Sequence, residues 1–249
     1  MNKVFFFDID GTLYEEKVGV CESSKLAIKK LMEKGYIVCI ASGRSYIGSK
    51  DIADELEIKY VVCDGGNSVY VNGEIVHQMT LEKDLCLKLI ELANTQNIPY
   101  ILVDNDHYYG KKRSLAFEKV HPWIDYQGDK DFDEVHVMKL GFDVTYEESE
   151  YLKKHCDLNM LLFKDVMCLV TDQNNKAEGI KECMKLLPNS EVVVFGDSLN
   201  DIQMFEYADI SVCMGQAIQE VQKHATYVTD EVSKDGIYNA CIKHKWIEE

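Results

Sequence analysis

Short continuous apolar runs alternate along the chain with stretches of helical spacing. Residues 4–7, 36–41 and 60–63 are unbroken runs of Val, Ile, Phe and their like, the pattern of strands covered on both faces. Between them, residues 22–34 place Ile28, Leu31 and Met32 on one helical face, with Gly35 positioned to close the C-terminus. A second helix is predicted over 45–56. Ser68–Val71 and Glu74–Gln78 flank Asn72-Gly73, a pair that predicts a hairpin with a type I′ turn.

The same rhythm returns near the end of the chain. A helix over 176–187 is stopped by Pro188, and a strand follows at 191–195. Then come a helix near 199–207, a strand at 210–214, a helix near 216–224, a strand at 226–229 and a C-terminal helix. Strands alternating with helices predict right-handed crossovers and a parallel sheet, an α/β fold of Rossmann-like layering.

The middle reads differently. The pattern predicts a helix over 81–94, a strand at Tyr100–Val103, a helix over 114–119 and a strand at 135–142. A helix over 146–155 and two strands, 159–163 and 166–171, complete it. The Lys164-Asp165 turn makes those last two an antiparallel pair. The reading is therefore a core formed by 1–79 and 174–249, with a second α+β module, 80–173, inserted between its halves.

Composition narrows the function. Of 249 residues, 46% are apolar and 28% charged, and the formal net charge is −16. That excess argues against nucleic-acid binding, which needs clustered Lys and Arg. It also means that an anionic substrate would need a cation or a nest of backbone N–H groups to reverse the local field. The nine cysteines form no C-x-x-C pair, which points to reduced, buried thiols and a cytosolic protein. No apolar run approaches the ~18 residues of a membrane span, and Asp8 and Asp10 interrupt the N-terminal one. A soluble chain with no membrane partner is expected.

Four features carry candidate chemistry. Asp8 and Asp10, followed by Gly11 and Thr12, stand where the first strand opens into a turn. Ligands of open α/β sheets bind at the carboxyl ends of strands, and crowded carboxylates there call for a hard cation such as Mg²⁺. A plain acidic turn would also use Asp10-Gly11. Far along the chain, Gly196-Asp197-Ser198-Leu199-Asn200-Asp201 again follows an apolar strand and opens a helix. Asp197 could complete a metal site there, or Asp and Ser could simply cap the helix. Ser42-Gly43-Arg44 ends the second strand, offering a hydroxyl and an approachable backbone. Lys176 opens a helix after the polar run 172–175, against the helix dipole. Contact with a phosphate or a carboxylate would explain it, and so would simple exposure.

D-x-D-G-T, S-G-R, a mid-chain Lys and G-D-S-x-N-D in this order resemble the haloacid dehalogenase superfamily of phosphatases. The inserted module and the ending Ser211-Val212-Cys213-Met214-Gly215…Asp235-Gly236-Ile237 are similar to its Cof-type branch, which carries a large α+β cap that selects the substrate. The resemblance implies a magnesium-dependent phosphomonoesterase. Asp8 would be both nucleophile and metal ligand. Asp10 would be the general acid/base, with its carbonyl on the metal. Ser42 and Lys176 would hold the phosphoryl group, with Gly11, Thr12, Gly43, Arg44 and Asn200 around it. Asp197 and Asp201 would complete the Mg²⁺ site. The implied substrates are small phosphorylated metabolites, namely sugar phosphates or cofactor phosphates such as those of flavin or pyridoxal.

Two departures from the family pattern are Cys63-Asp64-Gly65-Gly66-Asn67, where many relatives have Ser-Asn-Gly-Ala, and Met214-Gly215-Gln216-Ala217, where many have Met-Gly-Asn-Ala. Both bear on substrate contacts near those loops. Tyr108, Tyr109, Lys111, Lys112 and Arg113 form a compact aromatic-basic cluster, read as a solvated loop or, in a cap, as a group leaning over the substrate. A phosphomutase using the same nucleophile and a non-catalytic Mg²⁺/phosphate-binding protein are the alternatives. Neither the particular substrate nor the oligomeric state is legible.

Overall fold

A computed structural model describes residues 2–16, 18–157, 160–171 and 176–248. They form two compact units. The first comprises Met1–Gly43, Ser49–His77 and Asn174–Glu249, and the second Arg44–Gly48 and Gln78–Gln173. The polar run at 172–175 and the predicted strand start at Asn159 lie outside the described residues.

The first unit is built on an eight-stranded sheet. Its order is Tyr227–Val228, Ile210–Cys213, Ser190–Gly196, Asn2–Phe7, Ile37–Ala41, Tyr60–Cys63, Ser68–Val71 and Glu74–Gln78. The first six strands run parallel, and Ser68–Val71 turns back antiparallel. The parallel α/β core expected from the alternating pattern is present. Asn72 and Gly73 both have positive φ, +52° and +83°, as a type I′ turn requires.

The run Val4-Phe5-Phe6-Phe7 is continuous because both faces of its strand are covered. Val4 and Phe6 enter a cluster with Val62, Ile180, Val194 and Phe205. On the other face, Phe7 stacks on Phe195 at 4.7 Å, and Trp246 packs edge-on against Phe5 at 5.1 Å. Each such ring contributes roughly 1.5–3 kcal/mol by leaving water. Trp246, unreadable from sequence, is therefore a core residue. This central strand lies between one neighbour from the chain's end and one from its beginning, so the strand order switches there. A crevice opens at such a switch point on the carboxyl edge.

The second unit holds a six-stranded sheet in the order Asp125–Tyr126, His107–Tyr109, Tyr100–Val103, Lys139–Asp143, Cys168–Thr171 and Met160–Phe163. Helices Lys83–Thr95 and Tyr146–His155 cover one face through Leu89, Ala93 and Leu152. Helix Leu115–Val120 covers the other, with Phe117 against Ile101, Val103 and Tyr108. Tyr146–His155 starts at a reciprocal cap, in which Glu148 N–H donates to Thr145 Oγ1 at 3.3 Å and Thr145 N–H to Glu148 Oε2 at 2.6 Å.

Several elements differ from expectation. The strand predicted at 135–142 spans Lys139–Asp143, because a 3₁₀ turn at Phe132–Glu134 takes up the approach to it. The helix predicted over 176–187 ends at Met184, and the one near 216–224 is Gln219–Gln222. The Lys164-Asp165 turn is longer than two residues, since Phe163 pairs with Cys168. Tyr108 and Tyr109 are not in a solvated loop. They lie in strand His107–Tyr109 and are buried, with only Lys111, Lys112 and Arg113 exposed. The small hairpin of Tyr14–Glu15 with Gly19–Val20 was not anticipated.

Candidate active site

Register brings the predicted residues to one edge of the first unit's sheet. Phe7 is paired with Phe195 on one side and Ile40 on the other. Asp8, Asp197 and Ser42 therefore all emerge just beyond the same row. Asp8 N–H still donates to Phe195 O at 3.0 Å, which fixes the carboxylate as the strand ends. The chain then turns tightly, with Leu13 N–H donating to Asp8 O and Tyr14 N–H to Ile9 O. Gly11, at φ +81°, passes so close to Asp197 that a Cβ would stand 2.3 Å from its Oδ2. No other residue fits there. Thr12 Oγ1 donates to Asp197 Oδ1 at 3.2 Å.

Lys176 is the hub. Its Nζ donates to Asp8 Oδ1 at 2.5 Å and to Asp201 Oδ1 at 2.6 Å, with all three side chains buried. Asp201 is fixed further by the backbone N–H groups of Asp197 and Ser198, each donating to Oδ2 at 2.9 Å. Gly196 makes room for that carboxylate, since a Cβ would lie 2.6 Å from Asp201 Cγ. Lys176 is thus the first residue of its helix because it is an ion-pair partner in the interior.

Charge does not balance in this cluster. Asp8, Asp197 and Asp201 present carboxylate oxygens within 4.8 Å of one another, against the single Lys176 ammonium. Burial, reinforced by the Asp201 and Asp197 charges, outweighs Lys176 and pushes the Asp8 carboxyl up to about 8. Burial and Asp201 push Asp197 up to about 6. Burial opposes the Lys176 ammonium, but the Asp201 and Asp8 carboxylates outweigh it and hold its pKa above the ordinary lysine value. An all-oxygen donor set with excess negative charge in a largely buried cluster fits a hard divalent cation. The cluster is a fitting metal site.

The other expected residues are placed as follows. Asp10 is exposed, bridges to Tyr14 and stands outside the three-carboxylate group. Gly43 approaches Asn200, whose Nδ2 would be 3.8 Å from a Cβ there. Ser42 is buried, with its N–H on Val62 O and its carbonyl accepting from Gly65 N–H. Arg44 falls with the second unit. Its Nη1 donates to Gly48 O at 3.0 Å, and the guanidinium lies 5.0 Å from the Trp123 ring.

Gln216 has a role the sequence did not reveal. Its amide donates to Gly11 O, and its Oε1 accepts from Val232 N–H at 3.2 Å, so it clamps the turn that follows Asp8. The signal was its departure from the family pattern just beyond a strand end, which pointed to substrate contacts rather than to this clamp. Asp64 is buried with φ +54°, a backbone region that Asp tolerates better than most residues.

A family model for haloacid dehalogenase-like hydrolases matches residues 5–241. The chain is 29% identical over 250 residues to YkrA of Bacillus subtilis strain 168, covering 95% of each. It is 26% identical over 251 residues to the same organism's 5-amino-6-(5-phospho-D-ribitylamino)uracil phosphatase YcsE, covering 98% of this chain and 96% of that one. The solved structure of the subclass IIB sugar phosphatase BT4131 superposes with a TM-score of 0.82 at 24% identity, over 99% of this chain and all of the other. The chain belongs to the haloacid dehalogenase-like hydrolases. Within them it is a phosphatase of the branch whose core carries an inserted α+β cap.

Proposed function

We propose that this chain is a Mg²⁺-dependent phosphomonoesterase that works through an aspartyl-phosphate on Asp8. The observation that carries the reading is the buried Asp8–Lys176–Asp201 bridge with Asp197 beside it. Lys176 engages Asp8 Oδ1, which leaves Oδ2 as the attacking oxygen. Asp8 Oδ2 bonds to phosphorus as the ester P–O bond breaks, and Asp10 gives its proton to the leaving oxygen. Asp10 then takes a proton from water, which attacks the phosphoryl group, frees inorganic phosphate and restores Asp8. Ser42 and Lys176 hold the phosphoryl oxygens, with Thr12, Asn200 and the Gly11 and Gly43 backbone around them. Asp8, Asp197, Asp201 and the Asp10 carbonyl would hold Mg²⁺, which when bound supplies charge neutralisation and polarises a phosphoryl oxygen.

The substrate class is a small phosphorylated metabolite, a sugar phosphate or a cofactor phosphate such as that of flavin or pyridoxal. The name of YcsE, a phosphatase for a ribitylamino compound, supports it. The cysteines are free and all but Cys21 are buried, and no helix among the described residues is long and apolar enough to cross a membrane. The free, buried thiols support a place in the cytosol. The direct test is phosphate release from a panel of sugar, nucleotide and cofactor phosphates, with Mg²⁺ and then with chelator. Chelator-sensitive release on any member is expected. Release that survives chelation, or conversion of a phosphate ester without free phosphate, would overturn the reading.

Asp10→Asn will lower kcat on the order of 10²–10⁴-fold, as loss of a general acid/base does. It will leave the Mg²⁺-induced rise in melting temperature intact, because the Asp10 side chain is not among the three clustered carboxylates. Loss of both together would place that side chain on the metal instead.

The raised pKa values give a second expectation. Asp8 titrates near 3.8 when unfolded and about 8 when folded, so between those values the folded state keeps a proton that the unfolded state has lost. Stability of the metal-free protein therefore falls as pH rises through that window, by at most about 1.4 kcal/mol per unit for this group. Asp197 acts the same way up to about 6. Mg²⁺ replaces the lost protons, so its stabilising increment will be larger near pH 8 than near pH 5. Thermal melts with Mg²⁺ and with chelator at both pH values check this, and a larger increment on the acid side would refute it.

A further inference from the structure

The basic residues that follow Tyr109 line a cavity of about 360 Å³ that lies wholly within the second unit. That volume is in the range of small-molecule sites, roughly 300–1,000 Å³. The main segment of this unit begins at Gln78, close to where Leu81 N–H donates to Val137 O, and ends at Gln173, just past the strand Cys168–Thr171. The cavity is at the other end of the sheet, where Tyr100 pairs with Phe142 and Asp143 N–H donates to Pro99 O.

Its floor is tightly built. Ile101 lies across Gly110 on one side and Gly141 on the other, and a Cβ at those positions would stand 3.0 and 2.8 Å from it. Glycine inside a strand marks such a close approach. Around the rim the charge reverses against the −16 of the whole chain. Among the lining residues, Lys111, Lys112, Arg113 and Lys130 outnumber Asp129 and Asp143. Asp143 is engaged by Ser114 Oγ at 2.5 Å, and Arg113 is paired with Glu118. Lys130 sits 4.2 Å from the Tyr109 ring centroid, whereas Lys111 and Lys112 have no ion-pair partner among the described residues. Tyr100 and Pro99 supply flat apolar surface, and Asn94 and Asn97 supply amides that can donate and accept.

We propose that this cavity is a second ligand site, separate from the Asp8 cluster, for a small phosphorylated molecule bearing a flat ring, of the chemistry of a nucleoside monophosphate. Lys111 and Lys112 take the phosphate, the ring rests on Tyr100 and Pro99, and the asparagine amides meet its polar edge. Lysine acts here as a point charge on a flexible stem, suited to a phosphate held at a cavity rim.

The probe is AMP, added to the full-length Asp8→Asn protein in chelator so that it is not consumed. Saturable shifts of the Gly110 and Gly141 amide resonances are expected, and the same titration with adenosine should move them much less. Lys111→Gln with Lys112→Gln should weaken AMP binding on the order of tenfold or more. Both side chains are exposed, so the double variant will fold, and its unchanged amide spectrum without ligand verifies that. Shifts confined to Gly11 and Gly43, equal shifts with adenosine, equal affinity in the double variant, or no saturation would each overturn the proposal. None of these outcomes depends on whether Asp8 turns over substrate.

Discussion

Asp8→Asn will stop phosphate release, lowering kcat on the order of 10⁴-fold or more, while the metal-free protein becomes more stable near pH 8. The activity loss follows from chemistry, because an amide neither attacks phosphorus nor donates well to a hard cation. A 10⁴-fold loss corresponds to about 5.5 kcal/mol of transition-state stabilisation. The stability gain follows from the charge imbalance. Three carboxylates share one ammonium, and burial with the Asp201 and Asp197 charges already pushes Asp8 up to about 8. An amide has the same shape and no proton to lose, so the variant escapes the decline that wild type suffers as pH rises. Opposite changes in activity and stability cannot come from partial unfolding. Wild-type turnover in a preparation free of contaminating phosphatase would sink the assignment of Asp8, and a lower metal-free melting temperature would sink the electrostatic account.

Much of this site was legible because its residues stand where the apolar pattern stops. Asp8 ends Val4-Phe5-Phe6-Phe7, Asp197 follows Gly196 at the end of its strand, and Ser42 follows Ala41. A parallel sheet collects all such strand ends at one edge, so the alternating rhythm was enough to place them together. What the rhythm does not carry is partner choice. Lys176 joins Asp8 to Asp201 across 168 and 25 residues of chain, and Gln216 reaches Gly11 across 205. Sequence offered Lys176 a phosphate or carboxylate contact and marked Gln216 as a departure in its loop, but it did not show that Lys176 bridges two carboxylates or that Gln216 reaches Gly11.

The elements that escaped prediction are held by their neighbours. His107–Tyr109 is three residues between Asp104-Asn105-Asp106 and a glycine followed by Lys-Lys-Arg, so its surroundings read as loop. Pairing with Tyr100–Val103 makes it a strand and buries Tyr108 completely. Asp125–Tyr126 is a strand only by lying beside another. Conversely, Tyr146–His155 was located to the residue because its start is written locally, in Thr145 and Glu148. Local chemistry survives in a sequence, whereas pairing across many residues does not.

Lys176→Met carries the largest expected effect on stability. Methionine matches the length and most of the volume of the lysine stem, so the buried position should stay filled. The ammonium is lost, and with it the only positive charge among the described residues bonded to Asp8 and Asp201. Removing one partner of a buried ion pair leaves uncompensated charge and typically costs about 3–5 kcal/mol. Activity should vanish too, because the phosphoryl group would meet the carboxylates unshielded. Charge, rather than shape, predicts two further results. The destabilisation should shrink as pH falls, since Asp8 and Asp197 can then take up protons. Asp201→Asn added to Lys176→Met should recover part of the lost stability, giving a coupling of about 0.5–3 kcal/mol in a double-mutant cycle. Melting of the four proteins in chelator, at about pH 5 and about pH 8, decides the matter. If the cost of Lys176→Met is independent of pH and strictly additive with Asp201→Asn, the lysine stabilises by packing alone, and its place as first residue of the helix has no electrostatic cause.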